Sequence, residues 1–170
     1  MSGADAAAQR ALRDVLGTFA TGVTVITTLA RPERRPIGLT VNSFSSASLD
    51  PPLALWSISE RSPSVEHFGV GRGHVIHILS QQQAAVALRF ARPAKDKFAG
   101  LEYRLDETTG APALDGCVAR LFCETDTIAR GGDHRVIISR VLRHEVTALA
   151  PLVFYRGDFV RLGARATTDG

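Results

Sequence analysis

The segment Gly38-Leu-Thr-Val-Asn-Ser-Phe-Ser-Ser-Ala-Ser-Leu-Asp-Pro-Pro-Leu53 concentrates small polar side chains between two apolar runs. Positions 40 to 48 hold one threonine, one asparagine and four serines, and the chain then turns at Asp50. Hydroxyl, amide and backbone N–H groups at this density can contact the edge of a heteroaromatic ring or a phosphate. Composition alone favours a simpler interpretation, a serine-rich turn between two strands.

Strand-forming sequences lie on both sides of this segment. Gly22–Leu29 is rich in β-branched residues, and the turn Arg31–Pro36 predicts a hairpin into a second strand at Ile37–Val41. Further strands are predicted at Leu53–Ser59, His74–Leu79, Cys117–Ile128, Arg135–Val146 and Val153–Tyr155. Helices are predicted at Ala6–Leu16, at Ser62–Phe68 with Ser62 as the cap, and at Gln81–Phe90.

The order of these elements indicates the fold class. Six or more strands and three short helices do not alternate regularly, so a closed or sandwiched antiparallel sheet is favoured over a doubly wound parallel sheet. A chain of 170 residues is ordinary for one domain and tight for two. Because the sequence shows no internal repeat or linker, we expect residues 1–170 to form a single domain.

Composition and charge exclude several classes of protein. With 45% hydrophobic and 22% charged residues, the chain is not expected to be disordered or of low complexity. The net charge of +3 is scattered rather than gathered on one stripe, so nucleic acid is not expected as a partner. No apolar run has the length needed to cross a bilayer, so a membrane is not expected as a partner either.

The cysteines and the first residues indicate the compartment. Met1–Arg10 lacks the basic head and apolar core of a signal peptide. If Cys117–Ile128 is one strand, Cys117 and Cys123 lie about 20 Å apart and cannot pair with each other. Two unpaired thiols without an export signal predict a reducing cytoplasm, with both side chains acting as small buried hydrophobic groups.

Several familiar catalytic patterns are missing from the sequence. The glycines of Gly69–Gly73 do not form a dinucleotide-binding loop, because the third glycine of that pattern would fall at His74. On one strand, His74 and His77 point to opposite faces, which is poor geometry for a shared metal, so no metal site is expected. No nucleophile elbow or P-loop is present. If the chain is an enzyme, an organic cofactor is expected to supply the reactivity.

The segment Thr40–Pro52 resembles the signature of the flavin reductase family, the small reductase components of two-component flavin monooxygenases. Similar segments follow in the family's order at Phe19–Thr27, Ile78–Ser80, Phe90–Ala91, Asp96–Gly100, Leu114–Gly116, Gly132–His134 and Pro151–Gly157. The resemblance extends over a core at about residues 12–162, followed by a polar tail.

This resemblance implies a mainly β fold, an antiparallel FMN-binding split β-barrel with a few short peripheral helices. It also implies an NAD(P)H-dependent flavin reductase, which transfers a hydride from NADH or NADPH to FMN or FAD. The reduced flavin then diffuses to a separate flavin-dependent monooxygenase. The family usually forms homodimers, so a homodimer is expected. The choices between FMN and FAD and between NADH and NADPH stay open.

Site residues follow from the resemblance position by position. Thr40, Asn42 and Ser43 should line the isoalloxazine edge, with Val41 contributing backbone contacts. Flavin ring or ribityl contacts are expected from Ser45, Ser46 and Ser57, and phosphate contacts from Lys97 and Arg89. His134 should lie near the nicotinamide, where it orients and stacks. No residue is expected to act as a catalytic acid or base, because hydride passes directly between the two rings.

Three departures from the family pattern stand at Trp56, His77 and Gln81–Gln83, the last lacking the acidic residue that often follows the serine, and two other functions stay open. Trp56 stands where a small aliphatic residue is common, so it either narrows an adjoining pocket or belongs to the core. His77 stands where an asparagine is often found. The same barrel could instead be a non-catalytic flavin carrier, or an oxidase of the pyridoxamine-phosphate type with tightly bound FMN.

Overall fold

A computed structural model describes residues 3–163, which form two α-helices, two 3-10 helices and twelve β-strands. The helices are α1 at Gly3–Leu16 and α2 at Ala84–Ala91, and the 3-10 helices lie at Val65–Phe68 and Gln81–Gln83. The first six strands are β1 Thr21–Gly22, β2 Thr24–Leu29, β3 Pro36–Val41, β4 Ser45–Leu49, β5 Pro52–Ser59 and β6 Gly73–Ile78. The last six are β7 Tyr103–Leu105, β8 Pro112–Leu114, β9 Ala119–Gly131, β10 His134–Val146, β11 Val153–Tyr155 and β12 Asp158–Val160.

Seven strands form the central sheet in the order β3-β2-β6-β9-β10-β5-β4, with every pair antiparallel. The long β9–β10 hairpin forms its middle, and β3 returns close to β5. Smaller sheets, β1-β11-β12 and β7-β8, lie beside it. The predicted mainly β, antiparallel fold class is therefore confirmed.

Each face of the central sheet carries a buried hydrophobic cluster. On one face, Ile26, Trp56 and Phe68 belong to a cluster contributed by six strands of the sheet and the first 3-10 helix. On the other face, α2 packs Phe90 against a second cluster that includes Val25. Since β2 is covered on both sides, all six of its residues are buried. This arrangement explains why β2 reads as a continuous β-branched run without alternation.

Two buried histidines within the sheet have hydrogen-bond partners. The imidazole of His77 donates from Nδ1 to the Val25 carbonyl at 2.9 Å and accepts at Nε2 from the Leu114 N–H at 3.0 Å. His74 Nε2 lies 2.9 Å from the Ser139 hydroxyl, which also accepts from Trp56 Nε1 at 3.2 Å. Trp56 is fully buried, so it belongs to the core rather than to a pocket wall.

The structure corrects several predicted boundaries. The serine-rich Ser45–Leu49 is strand β4 rather than a turn, paired with β5 at the edge of the sheet. Its side chains are mostly exposed, so it lacks the apolar alternation that marks a strand in sequence. The predicted helix at Ser62–Phe68 is only a 3-10 turn from Val65, and Ser62 is not its cap. Cys117 lies before β9 rather than on it, although both cysteines are buried and free.

The helices of the described chain are short. Neither α1 nor α2 has the length and apolar character needed to span a membrane. The polar tail predicted after residue 162 falls almost wholly outside residues 3–163.

Candidate functional site

A polar shelf lies where β4 and β5 meet, and we define it by the residues Asn42, Ser43, Ser45, Ser46 and Ser57. The Ser57 N–H donates to the Ser43 hydroxyl oxygen at 2.9 Å, which fixes the start of β4 against β5. The Ser45 hydroxyl donates to the Ser46 carbonyl at 3.2 Å. Four of the five residues are exposed and Ser57 is half-buried, so their remaining donors and acceptors face solvent. The shelf can therefore contact the polar edge of a flat ligand.

Thr40 and Val41 lead into the shelf from β3. Val41 is buried in the cluster that contains Ile26, Trp56 and Phe68, so only its backbone can face a ligand. The Thr40 hydroxyl donates to the Ala87 carbonyl at 2.6 Å, which anchors β3 to α2 and leaves the hydroxyl oxygen as an acceptor. Thr40 also lines a cavity beside the shelf, so it marks the junction of the two regions.

The cavity has a volume of about 580 Å³ and is open to solvent. Three separate segments line it, residues 35–40, residues 62–64 with His67, and residues 90–95 with Lys97. Its cationic side chains are Arg35, Arg92, Lys95 and Lys97, and none of the described residues that line it is acidic. We call this volume the basic cavity. Its charge suits a phosphate-bearing ligand.

Lys97 lines the basic cavity beside Gly38, two residues before Thr40 on β3. Its ammonium donates to the Gly38 carbonyl at 3.2 Å and to the Phe90 carbonyl at 2.8 Å, which leaves one N–H for a ligand. Burial lowers the pKa of this lysine. Gly38 lets the Phe90 ring of α2 pack directly on β3, because a Cβ there would lie 2.7 Å from that ring. Lys97 is therefore placed for the phosphate contact predicted from the resemblance.

Arg89 points elsewhere. Its guanidinium donates to the Ala99 carbonyl at 2.9 Å, and Arg89 is not among the described residues that line the basic cavity. The structure thus brings Thr40 and Lys97 to the cavity and leaves Arg89 outside it.

His134 lies at the turn between β9 and β10, where Gly132 adopts a φ of +67°. The His134 Nδ1 lies 2.7 Å from the Asp133 carboxylate, and this hydrogen bond lowers the pKa of the Asp133 carboxyl. In the sheet, His134 pairs with Ser59, two residues along β5 from Ser57. The half-exposed imidazole therefore stands at the same end of the sheet as the shelf, roughly 7 Å along the strand.

The described residues offer binding and positioning groups rather than reactive ones. Within residues 3–163, no cluster of three histidine, cysteine or acidic side chains could hold a metal ion. Burial raises the pKa of Cys117, and it raises that of Cys123 to about 12, so both thiols stay protonated at neutral pH. A ligand bound on the shelf would have to bring its own reactivity.

Comparison with known protein families identifies the family of this chain. Residues 16–163 match the flavin reductase like domain. The chain belongs to this family. The predicted family is therefore confirmed.

Several proteins similar to this flavin reductase domain are named as flavin reductases or as reductase subunits of monooxygenases. It is 40% identical over 152 residues to "FMN reductase (NADH) SmoA" of Agrobacterium fabrum, covering 89% of this chain and 85% of that protein. It is 37% identical over 162 residues to the "Flavin-dependent monooxygenase, reductase subunit HsaB" of Mycobacterium tuberculosis, covering 94% and 85%. It is also 40% identical to a "Probable flavin reductase" of Rhizobium meliloti, covering 94% of this chain but only 51% of that protein. The chain thus spans about half the length of some curated relatives that it matches.

A solved structure matches the whole fold. The NADH:FAD oxidoreductase SgcE6 of Streptomyces globisporus, in complex with NAD and FAD fragments, has a TM-score of 0.87 and 32% identity. The match covers 94% of this chain and 95% of that chain. The predicted split-barrel fold class of the flavin reductases is confirmed by this similarity.

Much of the basic cavity was missed from sequence. Its unpredicted lining residues include Arg35, Ser62, Ser64, His67, Arg92 and Lys95. One signal was available, since Arg92, Lys95 and Lys97 lie close together just after α2. The fourth cation, Arg35, comes from a hairpin turn more than fifty residues away, and only the fold joins it to the other three.

Proposed function

We propose that this protein is an NAD(P)H-dependent flavin reductase that transfers a hydride from NADH or NADPH to FMN or FAD. The observation that carries the proposal is the junction at Thr40, where a polar shelf opens directly into a basic cavity. A flavin nucleotide has the same two parts, a flat ring with a polar edge and a phosphate-bearing chain. The family membership and the names of the relatives support the same function.

The chain's own residues would bind and orient. Asn42, Ser43 and the backbone of Val41 would face the isoalloxazine edge, with Ser45, Ser46 and Ser57 toward the ring or ribityl chain. Lys97 would contact the phosphate with its remaining N–H. When bound, the flavin supplies the hydride acceptor. Donors fixed at the ring edge stabilise negative charge there, and holding two rings about 3–3.5 Å apart lowers the barrier by several kcal/mol.

His134 would orient the nicotinamide. Its imidazole stands near the end of the shelf, and the bond from Nδ1 to Asp133 fixes the ring plane. Positioning requires no change of protonation, so we assign His134 no acid or base role.

The test is NADH and NADPH oxidation by the purified protein with added FMN, with added FAD, and with neither. Oxidation that saturates with an added flavin supports the proposal and identifies the preferred nucleotide. Flavin binding on the same sample without nicotinamide oxidation contradicts it, and indicates a carrier instead. Oxidation without added flavin, by a flavin that stays bound through purification, contradicts the exchange of reduced flavin.

We further propose that two copies form a homodimer through α1. Every side chain from Ala6 to Leu16 is exposed, and an isolated helix of this length is marginal in water. Leu12, Val15, Leu16 and Phe19 form an apolar stripe, each between 59% and 78% exposed. A partner that covers this stripe would stabilise the helix. The Val15→Glu variant should be monomeric in light scattering, whereas Asp14→Ala, on the opposite face, should stay dimeric.

The wider setting follows from the same resemblance. We infer that residues 1–170 form one domain with its core at about 12–162, and that reduced flavin diffuses to a separate monooxygenase. The relatives named as monooxygenase reductase components support this partner. The two free buried thiols support a reducing, cytoplasmic location. Adding a flavin-dependent monooxygenase across a dialysis membrane should still give product if the transfer is diffusive.

A further inference from the structure

We propose that the basic cavity holds the adenosine diphosphate half of FAD, so that this protein binds and reduces FAD in preference to FMN. The inference rests on the proposed function, because it takes the shelf as the ring site. It adds a preference for one of the two flavins, which the shelf residues alone do not determine.

The size of the basic cavity is the first argument. Its volume of about 580 Å³ lies within the range that accepts a whole drug-sized ligand. Asn42, Ser43 and Ser57 are not among the residues that line it, so the ring on the shelf does not fill this volume. The terminal phosphate of FMN, held by Lys97 beside Gly38, would leave much of this volume to water. A second phosphate with a nucleoside would occupy it.

The distribution of charge is the second argument. One lysine would suffice to contact one phosphate, yet the basic cavity has three further cations, Arg35, Arg92 and Lys95. None of these three forms an ion pair with a carboxylate of the described residues. Arg35 approaches from the turn before β3, and the other two from the loop after α2. A diphosphate bound in the cavity would meet cations from both segments, with guanidinium geometry suited to phosphate oxygens.

The remaining walls suit a nucleoside. Pro36, Pro63 and Pro93 give rigid apolar surfaces around the cavity, and Ser62 and Ser64 contribute hydroxyl groups. The Ser62 hydroxyl oxygen accepts from the Ser64 N–H at 3.3 Å, so its own proton is free to donate. Apolar walls with a few fixed polar groups are the usual composition of a small-molecule site.

The part of the cavity lining at Ser62–Ser64, which we call the serine wall, is also held in place before any ligand binds. Arg135 donates to Glu60 at 2.9 Å and to Glu66 at 2.8 Å, and these two residues flank the wall at Ser62–Ser64. One guanidinium on β10 therefore fixes both ends of the segment. A wall that is ordered in advance loses less entropy on binding.

The test compares the dissociation constants of FMN and FAD, measured by flavin fluorescence, in the wild type and two variants. We expect FAD to bind at least tenfold more tightly than FMN, and ADP alone to compete with FAD. Arg92→Ala should weaken FAD binding about tenfold or more and leave FMN binding unchanged, because it removes a charge-assisted contact to the second phosphate. Arg140→Ala is the matched control, since it removes an exposed arginine of β10 that pairs with Asp126.

Equal affinities for FMN and FAD, or equal weakening of both by Arg92→Ala, would overturn the inference. Nicotinamide oxidation with FMN separates this failure from failure of the proposed function. A protein that oxidises NADH or NADPH with either flavin but shows no FAD preference is a reductase whose cavity does not hold the nucleoside. A protein that oxidises neither with any flavin overturns the proposed function itself.

Discussion

Acid should destabilise this fold well above the pH at which carboxylates titrate, because two histidines are buried as neutral imidazoles. Burial lowers the pKa of His74 and of His77 from 6.5 to about 4. For His77 the Leu114 N–H also opposes protonation, since a proton on Nε2 would face that N–H and remove its acceptor. Between pH 6.5 and about pH 4 the folded state thus binds fewer protons than the unfolded state, so the free energy of unfolding falls as the pH falls.

The magnitude follows from the two pKa values. Neither histidine lowers the free energy of unfolding well above pH 6.5, and each lowers it progressively as the pH falls from 6.5 toward 4. At pH 5 the loss is about 2 kcal/mol for each imidazole and about 4 kcal/mol for the pair. That loss is a large share of the stability of a domain of this size, which is about 5–15 kcal/mol.

Urea unfolding followed by fluorescence measures this loss directly. Trp56 is the single tryptophan and is fully buried, so its emission reports unfolding of the cluster that it forms with Ile26 and Phe68. We expect the free energy of unfolding to fall by about 4 kcal/mol between pH 7.5 and pH 5. His77→Asn should halve that fall whatever its effect at pH 7.5, and His144→Asn, at an exposed position of β10, should leave it unchanged. A His77→Asn variant with the full wild-type pH dependence would refute the reasoning.

Four further substitutions test the site and the core. His134→Ala should raise the KM for the nicotinamide more than the dissociation constant for flavin, and equal losses would remove its proposed role. Ser43→Phe should weaken flavin binding in a fluorescence titration, because it covers the shelf; unchanged affinity would place the ring elsewhere. Gly38→Ala should lower the free energy of unfolding by about 1–3 kcal/mol through its clash with Phe90, whereas Gly69→Ala, which meets no atom closer than 4.0 Å, should not. Ser139→Ala should cost about 1–3 kcal/mol, because Trp56 Nε1 and His74 Nε2 lose their shared partner; a stability equal to wild type would show that this network contributes nothing.

The sequence alone was informative wherever the signal is local. The β-branched run of β2, the hairpin into β3 and the long β9–β10 hairpin were all visible as patterns of neighbouring residues. So was the polar segment that begins at Thr40, because a high density of hydroxyl and amide side chains is itself a local property. Strand β4 was not visible, because an exposed edge strand of serines carries no alternation of apolar residues. Its strand character comes from its hydrogen bonds to β5.

The tertiary structure decided how the pieces of the site meet. From sequence, Trp56 could belong to a pocket or to the core, and its contacts with Phe68 and Ser139 place it in the core. The sequence indicated Lys97 but not Arg35 or the serine wall, because the basic cavity joins three segments that lie far apart along the chain. Local sequence sets which residues form strands and turns. Which turns face each other depends on sheet register and on packing across the barrel, and those are set by contacts between residues distant in sequence.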